Sequence, residues 1–329
     1  MTTQVKGLPQ RSNWRECLSE EEIRSLYEMN DWKGAWGLFF NWAVVFAAFA
    51  LVGVWPNPLT VVVALFVIGG RQLGFAIFMH DASHHAFLGN RKANDWVANW
   101  LAAYPVWSDL EPYRPYHLQH HVYTWQDKDP DVSLAMPFPI TKESFRRKVW
   151  RDLSGQTGWK RAVAIWRRDL GLSQGKSRRR NGAGFFRFQG VLITNAILLG
   201  LLWAAGHPAL YLLWVVAWFT TYSLAMRVRS IAEHSMPLDQ DDETKNTRTI
   251  LASWWERLLL APNHVNYHLE HHLYPSVPFY RLGELHEVLM RNDEFAARAH
   301  ITHGYATGLL REVWPNGWMH FSRFPRLAC

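Results

Sequence analysis

The sequence predicts an all-α integral membrane protein. Four transmembrane helices form two hairpins, interfacial helices lie beside them, and a helical cap on the cytoplasmic side holds a histidine-rich dimetal site. Three observations predict this. Four apolar runs come in two pairs, each pair joined by a short proline-containing turn. Three histidine-rich boxes fall at or beyond the box-side ends of those runs. The two short far-side turns hold no Lys or Arg, whereas the loop on the box side is strongly basic, which the positive-inside rule marks as cytoplasmic.

Composition bounds the rest. A chain of 329 residues holds one or two domains. Its mean hydropathy of −0.17 averages two kinds of segment, long apolar runs and a polar, basic remainder. Nineteen tryptophans suit aromatic belts at the membrane interfaces. The net charge of +7, beside those apolar runs, favours an anionic membrane surface over nucleic acid as partner. Only Cys17 and Cys329 are present, so neither a disulfide framework nor a cysteine-held iron–sulfur cluster is expected.

Residues 1–35 form a polar N-terminal cytoplasmic segment without the basic start and short apolar core of a cleavable signal peptide. Within it, Ser19 and Glu22 fit a capping box. Residues 36–329 form the membrane domain. Its first spans cover about 36–55 and 59–79, each near the 20 residues a bilayer requires. Pro56-Asn57-Pro58 turns between them, and the second span delivers His80 at its end. Arg71 and Gln72 interrupt that span; Arg71 is expected to snorkel toward the near interface, with a charge in the substrate path as the alternative. Residues 93–107 are too short and polar to span and suit an interfacial or re-entrant helix. Pro115 is placed to open the helix carrying the second box.

From Lys142 to Arg187 there are fourteen Lys or Arg against Glu143, Asp152 and Asp169. This face suits anionic headgroups or an acidic electron donor, and its Gly171–Gly184 part, with Arg178-Arg179-Arg180, suits a flexible loop. The second hairpin covers about 188–206 and 209–226, turning at His207-Pro208. Residues 80–187 and 227–329 make the cap. His286, His300, His303 and His320, scattered in the tail, have the pattern of ordinary surface or core histidines.

The boxes carry the chemistry. Box one is His80-Asp81-Ala82-Ser83-His84-His85, and box two is His117-Leu118-Gln119-His120-His121. Box three is His268-Leu269-Glu270-His271-His272, with His264 four residues ahead of it. The offsets 0, 4, 7 and 8 from His264 match one face of a helix. A lone His234 follows Glu233. Imidazole is the commonest metal ligand near neutral pH. The metal-site residues are therefore His80, His84, His85, His117, His120, His121, His234, His268, His271 and His272, with His264 left outside. Ten imidazoles exceed one metal's four to six positions and suit two. The count and the missing thiolates argue against structural zinc, although imidazole alone does not select iron. Asp81, Glu233 and Glu270, with Asp127, Asp129 and Asp131, are candidates to hold the second ring N–H of such ligands, with a surface role equally open for the last three. HExxH and HxxEH are absent, and so are the glycine-rich nucleotide motifs.

The three boxes resemble those of the membrane fatty acid desaturase and hydroxylase superfamily. So do Ala86-Phe87-Leu88-Gly89-Asn90 with Asn94-Asp95 after box one, and Leu273-Tyr274-Pro275-Ser276-Val277-Pro278 after box three. The resemblance covers roughly residues 36–290. It implies a non-haem diiron centre, O2 as co-substrate, and attack on an unactivated C–H bond of a lipid acyl chain. It further implies four spanning helices, a box-side site reached by a substrate channel, and an extra histidine at the position of His234. Front-end desaturases of the superfamily usually carry Gln at the first place of box three and a fused cytochrome-b-type domain. His268 and the missing domain point instead to an external electron-transfer protein, such as a ferredoxin or cytochrome-b-type donor. Asp127-Lys128-Asp129-Pro130-Asp131 also resembles carotenoid hydroxylases and ketolases. Desaturation of an acyl chain is the leading expectation, and a lipid or carotenoid hydroxylase or oxygenase is the alternative. A histidine-rich metal transporter is remote, because transporters place ligands at the bilayer midplane.

Overall fold

The computed structural model describes residue 14, residues 18–169 and residues 183–313. Cys17, Cys329, His320 and the loop with Arg178, Arg179 and Arg180 lie outside them. Helix α1 (Glu20–Tyr27) opens on the expected capping box. Glu22 N donates to Ser19 Oγ at 3.2 Å, and Ser19 N donates to Glu22 Oε2 at 3.0 Å. Buried Leu26 joins a satellite core with Leu269, Leu285 and Phe295, which ties the start of the chain to its tail.

Helices α2 (Asp31–Val54) and α3 (Pro58–Ser83) form the first hairpin. Asn57 caps α3 by accepting from Leu59 N at 3.0 Å and Thr60 N at 3.1 Å, and Pro58 occupies the first helical position, where no N–H is needed. Polarity is inverted relative to a soluble hairpin. Val54 and Leu59 are 67% and 71% exposed, while Asn41 and Gln72 are fully buried. Asn41 Nδ2 donates to Arg71 O at 3.0 Å and Gln72 Nε2 to Trp214 O at 2.9 Å, so the NH2 group of each buried amide finds a backbone acceptor inside. Both helices run further toward the boxes than expected. As a result His80 lies within α3, not beyond it.

Arg71 corrects the snorkelling expectation. It is 3% exposed, and its Nη2 donates to Leu258 O, and to Arg257 O at 3.4 Å. These carbonyls sit in α12 (Trp254–Leu259), described below with the tail, whose last carbonyls lack helical partners. The guanidinium turns inward because they are there to receive it.

Helix α4 (Arg91–Ala98) continues into a π turn at Asn99–Ala103 and a 3-10 turn at Tyr104–Val106. Three indoles satisfy carbonyls of this irregular stretch. Trp42 Nε1 donates to Leu101 O at 2.9 Å, Trp214 Nε1 to Pro105 O at 3.2 Å and Trp218 Nε1 to Val106 O at 2.8 Å. Helix α5 (Leu110–Tyr123) is capped by Asp109, whose Oδ1 accepts from Glu111 N at 2.9 Å. That cap starts the helix five residues before Pro115, which therefore lies inside the helix and does not open it. After short α6 (Val132–Ala135) come α7 (Lys142–Leu153) and α8 (Gln156–Asp169), basic helices with Trp150 and Trp159 exposed. Arg161 of α8 stacks on Trp218 at 4.3 Å.

Helix α9 (Ala183–Ala204) leads to α10 (Tyr211–Phe219) and α11 (Thr221–His234), which break only at Thr220 (φ −115°, ψ −87°). Helix α11 passes the expected end at Met226 and carries Arg229, Glu233 and His234 toward the boxes. Among the described residues, Asp31–Val54, Pro58–Ser83 and Pro208–His234 are long and apolar enough to cross a membrane, and Phe188–Ala204 is a shorter apolar stretch.

The tail is not wholly helical. Strands β1 (Thr249–Leu251) and β2 (Ile301–His303) pair in parallel. Both are rich in β-branched residues but too short for periodicity to reveal. Between them lie α12, then α13 (His268–Leu273), α14 (Leu282–Leu289) and α15 (Asp293–Arg298), and α16 (Leu310–Val313) follows β2. The expected single helical face from His264 onward does not form. Pro262–His264 is a 3-10 turn with Asn263 and His264 at φ 55° and 58°, and α13 begins only at His268.

Candidate metal centre

The C-terminal end of α3, helix α5, the end of α11 and helix α13 meet in one place. Nine histidines from these elements form two groups. His80, His84, His117, His121 and His271 make one, and His120, His234, His268 and His272 make the other. Within each group one ring nitrogen per residue lies within 4.8 Å of every other.

The HxxHH spacing explains the division. On a helix, residues i and i+4 share a face, and i+3 is offset from both. In box two, His117 and His121 (i and i+4) enter the five-histidine group, and His120 enters the four-histidine group. Box three is split the opposite way: His268 and His272 enter the four-histidine group, and His271 the five-histidine one. Boxes two and three therefore each serve both groups, and His80 and His84 of box one complete the first as another i, i+4 pair. His85 joins neither group. The chain turns there at φ 56°, with His85 N donating back to Ala82 O at 3.1 Å, and its ring faces Asp95 with Nδ1 3.8 Å from Oδ1.

The nitrogens face one another. Nε2–Nε2 separations are 3.0 Å for His117–His121, 3.1 Å for His121–His271, 3.1 Å for His120–His234 and 2.8 Å for His234–His268. Two ligands held at a right angle on metal–nitrogen bonds of about 2.1 Å sit about 3.0 Å apart. His80 Nε2, His84 Nε2 and His272 Nε2 are buried with no hydrogen-bond partner. Buried polar atoms are rarely left so, and converging lone pairs of this kind fit a cation in each group. Protons do not compete for them. Burial first, then the neighbouring imidazoles, hold His117, His268, His271 and His272 well below the usual imidazole range. Burial, then the charge of His85, lowers His84 to about 4, and burial with His84 and His120 lowers His121 to about 2. These six rings are neutral at pH 7, as metal ligands must be.

The carboxylates orient the rings unequally. Asp81 Oδ1 lies 2.9 Å from His80 Nδ1, and Asp129 Oδ1 lies 2.8 Å from His120 Nδ1. A proton on each Nδ1 leaves Nε2 as the ligand atom. Glu233, paired with Arg229 at 2.5 Å, stands 3.6 Å from His268 Nδ1. Asp131 is 3.9 Å from His120 Nδ1 and accepts from Tyr116, and Asp127 is exposed. Glu270 holds no ring of either group. It receives Thr249 Oγ1 and lies 2.6 Å from His286 Nδ1, so it braces α13 against β1 and α14. Burial lowers His286, but the bond to Glu270 and its charge outweigh that and leave it above the usual value.

Sequence reasoning missed that brace, and it missed the clamp between boxes one and two. Arg114 of α5 donates to Asp95 through two nitrogens, at 2.5 and 3.0 Å, and to Ala82 O at 3.1 Å and Ser83 O at 3.2 Å. Asn94 Nδ2 donates to Ala82 O at 3.0 Å, and Asn94 Oδ1 accepts from Leu88 N at 3.1 Å. The Asn94-Asp95 pair, noticed only as part of a resemblance, fastens the turn after box one. Tyr113, one turn before His117, stacks on its ring at 5.2 Å.

The sequence model of the family described as fatty acid desaturase matches residues 55–304. The chain belongs to the fatty acid desaturase family. It is 29% identical over 260 residues to a dihydrorhizobitoxine desaturase of Bradyrhizobium elkanii, covering 74% of this chain and 71% of that protein. It is 26% identical over 290 residues to an sn-1 oleoyl-lipid 12-desaturase of Picosynechococcus sp., covering 82% and 80%. As a fatty acid desaturase family member the chain is a desaturase-like oxidoreductase, and its apolar helices fit a membrane protein.

Proposed function

We propose that this protein introduces a double bond into a lipid acyl chain, using O2 and electrons from a separate donor protein. The observation that carries the proposal is the crossed sharing of boxes two and three between two imidazole groups. Each group holds one iron in this reading, with His80, His84, His117, His121 and His271 on one and His120, His234, His268 and His272 on the other. The irons, when bound, supply with O2 the oxidising power that removes hydrogen from an unactivated C–H bond. The chain's residues do the rest. Asp81 and Asp129 keep a proton on Nδ1 of His80 and His120, Arg229 and Glu233 stand behind His268, and Arg114 holds boxes one and two together. Neutral, buried rings keep water and protons from the centre. His85 stays outside the ligand set and shapes the turn.

Four spans in two hairpins accompany this reading, with α9 as the third. Residues 1–35 form the N-terminal segment and residues 36–329 the membrane domain, and both termini and the histidine cap are cytoplasmic. The basic helices α7 and α8, on the cap side, support that orientation.

The test uses purified, detergent-solubilised protein. About two irons per chain are expected from two groups of ligands, and a regiospecifically deuterated acyl lipid incubated with O2 and a reducing partner is expected to yield an olefin that has lost deuterium. A product that is only hydroxylated would overturn desaturation in favour of a hydroxylase of the same family.

A further inference from the structure

Two residues singled out by the sequence, Arg71 and His264, take no part in the metal centre, and both line one cleft. The cleft has a volume of about 830 Å³ and lies between the box-side end of α2, the middle of α3, and the α12 and Pro262–His264 segment. Its cationic groups are Arg71, Arg257 and Lys33, and among the described residues no Asp or Glu lines it. Its rim is aromatic, with Trp32, Trp36 and Trp254 exposed.

Arg71 is the unusual element. It is a 97%-buried guanidinium on a membrane-spanning helix, with no carboxylate partner among the described residues. An ionisable side chain at such a position is costly and marks a functional site by default. Capping α12 does not use it up. Both bonds to Leu258 O and Arg257 O come from Nη2, while Nη1 and Nε donate to no described residue. A guanidinium carries five N–H donors in a planar fork, the geometry that matches an oxyanion. His264 adds an Nδ1 that is buried and unpartnered. The backbone invests in this placement, because Asn263 and His264 both adopt positive φ, and Asn263 Nδ2 is anchored on Gly74 O at 2.8 Å.

We infer that the cleft binds the oxyanion head, carboxylate or phosphate, of a single-chain acyl amphiphile, with Arg71 at its floor and Arg257 and Lys33 at its mouth. The inference rests on the acyl-lipid reading above and deepens it. The aromatic rim meets the first part of the chain, and the size falls in the range of ordinary ligand pockets. The inner wall abuts the metal centre in sequence and in space. His264 lies four residues before His268, and Phe279 packs edge-on to Phe78 at 5.6 Å, two residues before His80.

The test is equilibrium binding to the full-length, metal-loaded protein in detergent, without O2 or reductant, so that turnover plays no part. The probes are palmitate, a palmitoyl lysophosphatidate, the uncharged hexadecanol and inorganic phosphate. Palmitate and lysophosphatidate are expected to bind more tightly than hexadecanol. Arg71→Gln is expected to weaken both anions about tenfold and hexadecanol little. The double variant Lys33→Gln, Arg257→Gln alters exposed side chains only and is expected to weaken both anions about three- to tenfold. If Arg71→Gln does not fold, the double variant decides. Equal binding of palmitate and hexadecanol, or unchanged anion binding in the double variant, overturns the assignment. So does competition by inorganic phosphate at the concentrations where palmitate binds, which would mark a free-anion site. None of these outcomes alters iron content or the olefin product, so failure here stays separate from failure of the proposed reaction.

Discussion

Boxes two and three share the spelling HxxHH and are held in different ways. Box two rides on α5, fourteen residues long, capped by Asp109 and clamped by Arg114 to the end of α3. Box three rides on α13, six residues long and without a side-chain cap. A helix that short does not stand alone. Its bracing is external: Glu270 fixed to His286 and Thr249, and Asn266, just upstream, exchanging bonds with Ile250 at 2.9 and 3.0 Å. One motif can thus be presented by a helix that is locally secured or by one that its surroundings secure. The two differ in what damages them.

The largest effect comes from the single crossing member of each box. His271→Ala removes box three's contribution to the five-histidine group, and His120→Ala removes box two's contribution to the four-histidine group. Each variant is expected to retain about one iron per chain and to lose activity by more than about 100-fold, beyond the usual cost of an outer partner. Identical loss of both irons from both variants would undo the crossed division.

The carboxylates separate the boxes next. Asp129→Asn disturbs one ring and is expected to cost about 10–100-fold in metal affinity or activity with little change in thermal stability. Glu270→Gln disturbs the brace of α13, so it is expected to destabilise the fold by about 1–3 kcal/mol and to weaken metal binding in both groups. A Glu270→Gln variant that melts with the wild type would show that α13 needs no brace.

The smallest effect is a pH dependence. With His286 raised in the folded state, its pairing with Glu270 contributes fully below the unfolded value near pH 6.5 and is lost as pH rises through the higher folded value. The stability gap between wild type and His286→Gln is expected to be on the order of 1 kcal/mol at about pH 6 and to narrow toward about pH 9. A gap independent of pH would mean the contact is not ionic.

Much of this was legible in the sequence because it follows from spacing. The boxes, the first hairpin and the Ser19–Glu22 cap depend on residues near one another in the chain. The division of each HxxHH box was also available, since i and i+4 share a helical face, but ligand counting alone does not use it. What escaped depends on distant partners. Arg71 turns inward because α12, nearly 190 residues later, presents open carbonyls. His264 leaves the helical register because Asn263 reaches back to Gly74. The roles of Asn94, Asp95 and Glu270 require knowing what lies across the fold. The strands β1 and β2 are three residues each and draw their meaning from pairing.

The irregular stretch from Asn99 to Val106 has a consequence for how such a chain tolerates change. In a regular helix one inserted residue rotates everything beyond it by about 100°. A π turn takes up the extra residue in place, and the indole N–H groups of Trp42, Trp214 and Trp218 accommodate the carbonyls that this displaces. The segment lies between boxes one and two and is lined by donors that do not depend on helical register. The three tryptophans, one from α2 and two from α10, are internal fasteners as well as apolar bulk, and they tie the stretch between boxes one and two to both hairpins.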